Sequence, residues 1–277
     1  MTAVENRPAG IETRVASAPR TRQGRTSRVL TPISGFVAVL ASWQIAGTFI
    51  NPIYIATPAA VAENLGQLLF GRQQIWGDIL PSLGEMYLGL AIALVGGLVI
   101  GILLGSSRTF ASITTPYLVF LNATPLVITL PLLTVWVGTT LKARIVFISL
   151  LAIWPVLLNV TAGCRNVSGR YRELGRALGL SRSRQLRRIV LPGVLPYFLA
   201  GARISSGLAV VGMIVAEMEV SVTGLGYLLA SYGGGFQTAK LLAVFVFVSL
   251  LGMVNVGVLL ALTRWLAPWT GAARHPG

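Results

Sequence analysis

Apolar runs long enough to cross a bilayer alternate along this chain with short polar intervals. A transmembrane helix needs about 20 mostly apolar residues, and six runs come close to or exceed that length. They are 33–50, 82–104, 116–138, 145–162, 194–220 and 241–263. The pattern predicts six transmembrane helices, the third broken by Pro125 and Pro131, with a polar interval at 63–78 after the first. Glycines along the second run allow close approach of a neighbouring helix, although glycine is also common in membrane helices.

Composition supports an all-α integral membrane protein. Hydrophobic residues make up 54% of the 277 residues, charged residues only 11%, and the mean hydropathy is +0.76. Soluble domains carry about 25% charged residues, so a soluble single-core protein is excluded. A disordered chain and a disulfide scaffold are excluded as well, because the sequence is strongly apolar and contains one cysteine.

The basic residues predict the orientation in the membrane. Twenty of the 22 basic residues are arginine, six of them within 1–28 and eight within 165–188. Under the positive-inside rule such blocks are cytoplasmic. With the N-terminus inside, 17 basic residues lie on the inner side and four on the outer side. Both termini are therefore expected in the cytoplasm, residues 1–30 as a disordered tail and 267–277 as a short one. This placement of the net charge of +14 argues against nucleic-acid binding.

The sequence contains no group of residues typical of a catalytic site. The single histidine, His275, lies near the C-terminus, and Cys164 has no partner cysteine, so we expect neither a metal site nor a disulfide. No phosphate-binding loop of the Gly-x4-Gly-Lys-Ser/Thr type occurs, since neither Lys142 nor Lys240 follows a glycine. We expect no catalytic residues and no cofactor on this chain, and any energy source must lie on another subunit.

The interval 165–192 carries the most information. Leu174, Ala177 and Leu178 form an apolar strip at helical spacing among arginines, and Gly179 suits a helix end. Ser181 is placed to cap a second short helix, which Pro192 is expected to terminate. A cytoplasmic helix–turn–helix of this kind predicts a docking element for a soluble partner or for the lipid surface.

The spacing within this interval resembles the EAA loop of ABC-transporter permeases. Glu173 is followed after six residues by Gly179, then after ten by Ile189 and by Leu191-Pro192. Leu174 and Gly175 depart from the two alanines of that motif. The resemblance implies that Glu173, Ala177, Leu178 and Gly179 contact a cytoplasmic ABC ATPase that binds ATP, with Ile189, Leu191 and Pro192 completing the loop.

Two further stretches resemble the sulfonate/taurine/nitrate branch of binding-protein-dependent permeases. One contains Pro125, Pro131 and the triplet 136–138, and the other contains Ala216-Glu217 with Gly-Leu-Gly-Tyr-Leu at 224–228. Asn122 departs from the branch, in which many members have arginine. The resemblance implies a bacterial inner-membrane importer built from two permease copies, ATPase subunits and an extracytoplasmic solute-binding protein. Residues 78–266 would form its permease core, preceded by the first helix and an outer segment within 31–77.

Several assignments stay open at this stage. Asn122, Pro125, Pro131 and Glu217 are candidates for the translocation path or its gate, although prolines are also common in membrane helices. Glu217 could line an outer gate, meet the binding protein, take part in packing, or extend to the membrane interface. A secondary transporter or channel not coupled to an ATPase is the alternative function. Such carriers usually show inverted repeats and ionisable residues within the membrane, and the sequence shows no convincing repeat.

Overall fold

The computed structural model describes residues 27–71, 75–177 and 180–266, and all regular structure in these residues is helical. The α-helices, in chain order, are α1 (Ser27–Phe49), α2 (Pro58–Phe70), α3 (Trp76–Ser106), α4 (Arg108–Ala123), α5 (Thr129–Val137), α6 (Leu141–Ala177), α7 (Arg182–Gln185), α8 (Leu191–Val220), α9 (Leu225–Gly234) and α10 (Thr238–Leu266). A 3₁₀ turn (Leu126–Ile128) precedes α5, and a π-helical turn (Leu186–Val190) joins α7 to α8. The predicted tail at 267–277 and residues 1–26 lie outside the described residues, whereas the last four residues of the predicted tail 1–30 belong to α1.

Four helices of the described part are long and apolar enough to cross a membrane. They coincide with the second, fourth, fifth and sixth predicted spans and correspond to α3, α6, α8 and α10. The third predicted span is a bent pair, α4 and α5, with an angle of 84° between its halves. The first corresponds to α1, whose apolar part is the shorter stretch Ser34–Phe49. The chain is a multi-pass membrane protein, while the count of six helices stays a prediction.

The bend in the third span is caused by Pro125 alone. Thr124, immediately before it, is extended, with φ −74° and ψ 133°, as a residue preceding proline prefers. The prediction that Pro131 also breaks the helix is wrong. Pro131 is the third residue of α5, where a backbone N–H has no acceptor within the helix, so proline costs little.

Small residues bring α3 and α6 together along four turns. Cβ atoms added at Gly89, Gly97 and Gly101 would lie 2.6–2.9 Å from side-chain atoms of α6, namely those of Ile148, Val156 and Val160. Gly105 packs in the same way against Cys164. Both series advance in the same direction, so the two helices are parallel. The predicted close approach is confirmed, and the contact comes from glycines four or eight residues apart that lie on one face.

Helix α8 packs antiparallel to α6 and to α10. The Ser205 hydroxyl donates to the carbonyl of Ala152 at 2.5 Å, and Gly201 lies against the backbone at Pro155. The amide of Asn255 donates to the carbonyl of Ser206 at 3.2 Å. These bonds satisfy polar side chains inside an apolar bundle, where an unsatisfied group would be costly.

Two helices lie where the sequence analysis placed none. Helix α2 occupies much of the predicted polar interval. It begins at Pro58, is capped by the hydroxyl of Thr57, and buries Val61 and Leu68 in the apolar core that includes residues of α10. Helix α9 follows α8 after a four-residue turn and buries Leu225 and Leu229 in the same core. Both helices are too short to span a bilayer.

Candidate functional site

The segment predicted to couple to an ATPase begins as a continuation of α6. This helix runs unbroken to Ala177, so Glu173 and Ala177 lie on its last turns. Leu178 and Gly179 fall outside the described residues. The prediction of a separate short helix before Gly179 is wrong, because these residues continue α6 as far as Ala177. The three glycines at 163, 169 and 175 each cost about 1 kcal/mol relative to alanine, which a 37-residue helix tolerates.

The second half of this segment leads directly into α8. The backbone N–H of Gln185 donates to the carbonyl of Ser181 at 2.9 Å, and the π-helical turn then joins α7 to α8 without a loop. The prediction that Pro192 terminates this helix is wrong, because Pro192 lies in the first turn of α8. The N–H of Leu191 donates to the carbonyl of Leu186, five residues earlier, and such wider turns accommodate a nearby residue that lacks a donor.

Ile189 is half-buried, whereas Leu191 and Pro192 line an apolar groove of about 370 Å³ between α3 and α8. Arg187 borders the same groove. The described coupling candidates thus lie where α6 ends and α8 begins.

At the opposite end of the bundle, three side chains bind the N-terminus of α9. The N–H of Gly224 donates to Asp78 Oδ1 at 2.8 Å, and that of Leu225 donates to Ser82 Oγ at 3.0 Å. The N–H of Gly226 donates to Glu217 Oε2 at 2.7 Å. These amides belong to the first turn of α9, where helix geometry provides no acceptor. Two carboxylates at a helix N-terminus are also favoured by the helix dipole.

Glu217 lies at the centre of this arrangement. Its side chain is 1% exposed, so in this structure it faces neither the surface nor the membrane interface. Glu219, two residues further along α8, is exposed. The two carboxylates therefore point to different sides of α8. The role of Glu217 in a gate stays a prediction. Its observed contacts are those of a packing residue.

The two glycines of the 224–228 motif are explained by these contacts. Gly224 has φ +104°, a conformation that residues with a Cβ rarely adopt. A Cβ added at Gly226 would lie 2.4 Å from the carbonyl of Ile214 and 2.6 Å from Glu217 Cβ. Close contact between α8 and the start of α9 therefore requires glycine at both positions.

A buried ion pair lies beside this cluster. Arg144 Nε donates to Glu85 Oε2 at 2.8 Å, and Arg144 Nη2 donates to Glu85 Oε1 at 2.5 Å. The side chains are 13% and 5% exposed. A bidentate pair of this kind offsets the cost of placing either charge in an apolar bundle.

The sequence analysis missed four residues of this region: Asp78, Ser82, Glu85 and Arg144. A signal was present, because the first three lie at i, i+4 and i+7 of one helix and therefore share a face. An acid inside an apolar run also needs a partner, and Arg144 precedes the fourth span on the same predicted side of the membrane.

Helix α9 also carries an aromatic contact. The ammonium group of Lys240 lies 5.5 Å from the ring centroid of Tyr232. Burial and the nearby carboxylate of Asp78 raise the pKa of the Tyr232 phenol above its ordinary value.

The path candidate Asn122 lines a different cavity, of about 200 Å³, between α4 and α6. Pro125, at the bend, and Pro131, in α5, lie beyond it along the chain. The structure brings Asn122 together with Arg165 and with the hydroxyl-bearing residues Thr115 and Thr161. Glu217 is not part of this cavity.

The described residues contain no group of three or more histidine, cysteine or acidic side chains able to hold a metal ion. Cys164 is a buried thiol packed against Gly105.

Most of the chain is similar to known proteins. Residues 97–271 match the family model described as "Binding-protein-dependent transport system inner membrane component". The taurine transport system permease protein TauC of Escherichia coli (strain K12) is 31% identical, with 88% of this chain and 92% of TauC covered. The putative aliphatic sulfonates transport permease protein SsuC of Bacillus subtilis (strain 168) is 29% identical, with 90% of each chain covered.

The fold is similar to that of a chain of the MetNI methionine ABC transporter, solved in inward-facing conformations. The TM-score is 0.59 at 22% sequence identity, and the match covers 67% of this chain and 92% of the other. Similarity at this identity concerns the fold alone.

Proposed function

Because the chain belongs to the family of binding-protein-dependent transport system inner membrane components, we propose that it is the membrane-spanning permease subunit of an ATP-driven importer. The family match over 97–271 is the observation that carries the proposal, since it includes the whole segment from Glu173 to Pro192. The relatives are named as transport permeases, which indicates a non-catalytic component. Hydrolysis of ATP is then assigned to a separate subunit.

In this proposal six helices span a bacterial inner membrane, and both termini are cytoplasmic. The basic residues support the orientation, because 17 would lie inside and four outside. Helices α1, α3, the bent pair α4 and α5, α6, α8 and α10 would be the six crossings. The short helix α9 and the cap formed by Asp78 and Glu217 then lie on the outer side.

The end of α6 is proposed as the contact with the ATPase. Glu173, Ala177, Leu178 and Gly179 would enter a groove on that subunit, and the surrounding arginines would set the orientation and the rate of association. Since α6 is continuous from Leu141 to Ala177, closure of the ATPase would move a rod that also carries Arg144 at the outer end. Ile189, Leu191 and Pro192 link the same contact to α8.

The remaining partners are an extracytoplasmic solute-binding protein and a second permease copy. The broad exposed apolar face of α4, which includes Ile113, Tyr117 and Phe120, suits either lipid or this second copy. The proposed solute is a small anion such as a sulfonate, taurine or nitrate, because TauC and SsuC are named for taurine and aliphatic sulfonates.

Co-purification tests the coupling. The tagged chain is expressed with the ATPase and binding protein encoded beside it, as wild type and as Gly179→Asp and Glu173→Lys variants. We expect both substitutions to release the ATPase or to uncouple its hydrolysis from transport. The matched control Glu63→Lys changes the charge of an exposed residue of α2 and should retain the ATPase.

The alternative, a secondary transporter or channel, makes the opposite prediction. Uptake would then proceed in vesicles that contain this chain alone, without ATP, and would be unaffected by either substitution. Failure of the wild-type chain to bind any ATPase would favour a secondary transporter or channel.

A further inference from the structure

We propose that the cavity between α4 and α6 is a binding site for a small oxyanion, formed by Arg165, Asn122 and Thr115. The inference rests on the proposed function and assigns to it a site through which the transported anion passes. Ten residues line the cavity: one from α3, four from α4 and five from α6. Four of the ten are polar and none is acidic.

Arg165 provides the only formal charge among the lining residues. A guanidinium group binds planar and tetrahedral oxyanions through two parallel N–H groups. The other six lining residues are apolar. Arg165 is itself exposed, so water reaches the guanidinium group and weakens this attraction without abolishing it. The charge of the cavity therefore selects an anion.

Neutral donors complete the site. The hydroxyl of Thr161 already donates to the carbonyl of Leu157 at 2.7 Å. Within the described part of the chain, neither the amide of Asn122 nor the hydroxyl of Thr115 is bonded to another residue. Both lie on α4, seven residues apart, and so occupy one face of that helix. They can donate to an anion held by Arg165.

The volume limits the ligand to a small one. Pockets for drug-sized molecules measure about 300–1,000 Å³, whereas this cavity measures about 200 Å³. An anion of a few heavy atoms fits such a space together with some water.

An independent observation extends the site along α6. Trp154 Nε1 is buried, and it is the one buried side-chain donor or acceptor without a hydrogen-bond partner in the described residues. Buried indole N–H groups usually have a partner. Trp154 lies seven and eleven residues before Thr161 and Arg165, on the same face of α6. Trp154 does not itself line the cavity. By the rise of an α-helix its Cα lies about 16 Å from that of Arg165, so an anion that follows this face would pass a second donor.

Three acids, Asp78, Glu85 and Glu217, lie at the opposite end of the bundle from Arg165, and Glu85 is paired there with Arg144. None of them lines the cavity, so none offsets the attraction of Arg165 for an anion. In the proposed orientation Arg165 lies on the cytoplasmic side, so the cavity is placed to receive the solute before its release.

The test measures solute moved per ATP hydrolysed. The complete transporter is reconstituted in phosphatidylcholine vesicles, and wild type is screened with taurine, methanesulfonate, nitrate and bicarbonate. The variants are Asn122→Leu, Thr115→Val, Trp154→Phe and Arg165→Gln. Each has a matched control outside the cavity: Gln67→Leu, Thr114→Val, Trp136→Phe and Arg203→Gln.

We expect the cavity variants to move at least five-fold less anion per ATP while hydrolysis stimulated by the binding protein stays within two-fold of wild type. The controls should match wild type in both measurements. A purely structural defect would lower hydrolysis as well. Unchanged anion movement per ATP in the cavity variants would overturn the site and leave the proposed function intact. A wild type that hydrolyses ATP but moves none of the four anions would overturn the proposed class of solute.

A lipid phosphate offers the same chemistry as a free anion, so a second set of vesicles contains added phosphatidylglycerol. If a transported anion occupies the site, the defects persist in pure phosphatidylcholine. Defects that appear only when phosphatidylglycerol is present would identify a lipid headgroup as the occupant and would overturn a site for the transported solute.

Discussion

Glu217 accepts a 2.7 Å hydrogen bond from the backbone N–H of Gly226, which lies nine residues further along the chain. The bond crosses the tight turn between α8 and α9, and it holds the carboxylate against the first turn of α9. Asp78 and Ser82 bind the two preceding amides from α3. Polar side chains therefore join three helix ends: the end of α8, the start of α9 and the start of α3. These hydrogen bonds add to the apolar packing between the same helices.

Truncation of Glu217 should destabilise this junction. In Glu217→Ala the N–H of Gly226 loses its acceptor, and a lost hydrogen bond to a charged group costs about 1.5–3 kcal/mol. Glu217→Gln retains an acceptor and should cost less. Thermal unfolding in detergent measures both, with Glu219→Ala as the exposed control. Equal unfolding midpoints for all three variants would show that the bond contributes nothing to stability.

The glycine at 226 should tolerate no side chain. Gly226→Ala places a Cβ 2.4 Å from the carbonyl oxygen of Ile214, a backbone atom that can move only with α8. Overpacking of this kind costs about 1–3 kcal/mol. A Cβ at Gly234, on the same helix, would meet nothing within 4 Å. Gly234→Ala should therefore unfold at the wild-type temperature or above, and a comparable loss in both variants would contradict the packing described for α9.

The ion pair between Arg144 and Glu85 should show strong coupling. Removal of one partner leaves a buried charge and costs about 3–5 kcal/mol, whereas replacement of both by apolar residues can be nearly neutral. Arg144→Met and Glu85→Leu should each lower the unfolding temperature more than the double variant does. A double variant whose loss equals the sum of the single losses would show that the two side chains act independently.

The contact between α3 and α6 should respond to paired changes in size. Gly101→Ala places a Cβ 2.8 Å from Val160 Cβ, and such overpacking costs about 1–3 kcal/mol. Adding Val160→Gly removes both Val160 atoms at 2.8 Å, Cβ and Cγ1, and should recover part of the loss. Gly84→Ala, on α3 but without neighbours within 4 Å, should instead stabilise the helix by about 0.5–1 kcal/mol. Absence of recovery in the double variant would place the strain elsewhere, at the carbonyl of Leu157.

The sequence could predict the membrane helices because their signal is local and one-dimensional. Long apolar runs at 82–104 and 241–263 identify α3 and α10 to within two to six residues at each end, since a bilayer demands a minimum length of apolar chain. Helices α2 and α9 escaped detection because they are short. What stabilises them is burial of Val61 and Leu225 against other helices, not length.

The ends of helices were harder to predict, because they depend on which backbone N–H groups have a hydrogen-bond acceptor in the folded chain. Pro131 and Pro192 carry the same local signal as Pro125, yet only Pro125 breaks a helix. Pro131 occupies the first turn of α5, where a missing N–H costs little, and Pro192 follows a π-helical turn that accommodates it. A sequence pattern does not show which turn of a helix a proline will occupy.

The sequence by itself determined the class of this protein, its apolar segments, the bias of basic residues and the spacing from Glu173 to Pro192 by which its family can be identified. Only the tertiary structure decided which polar side chains meet. Asp78 and Gly224 lie 146 residues apart in sequence, and Glu85 and Arg144 lie 59 apart. They meet because α3, α6 and α8 pack through small residues, and because a polar group buried in an apolar bundle is stable only where the packed helices bring it a partner.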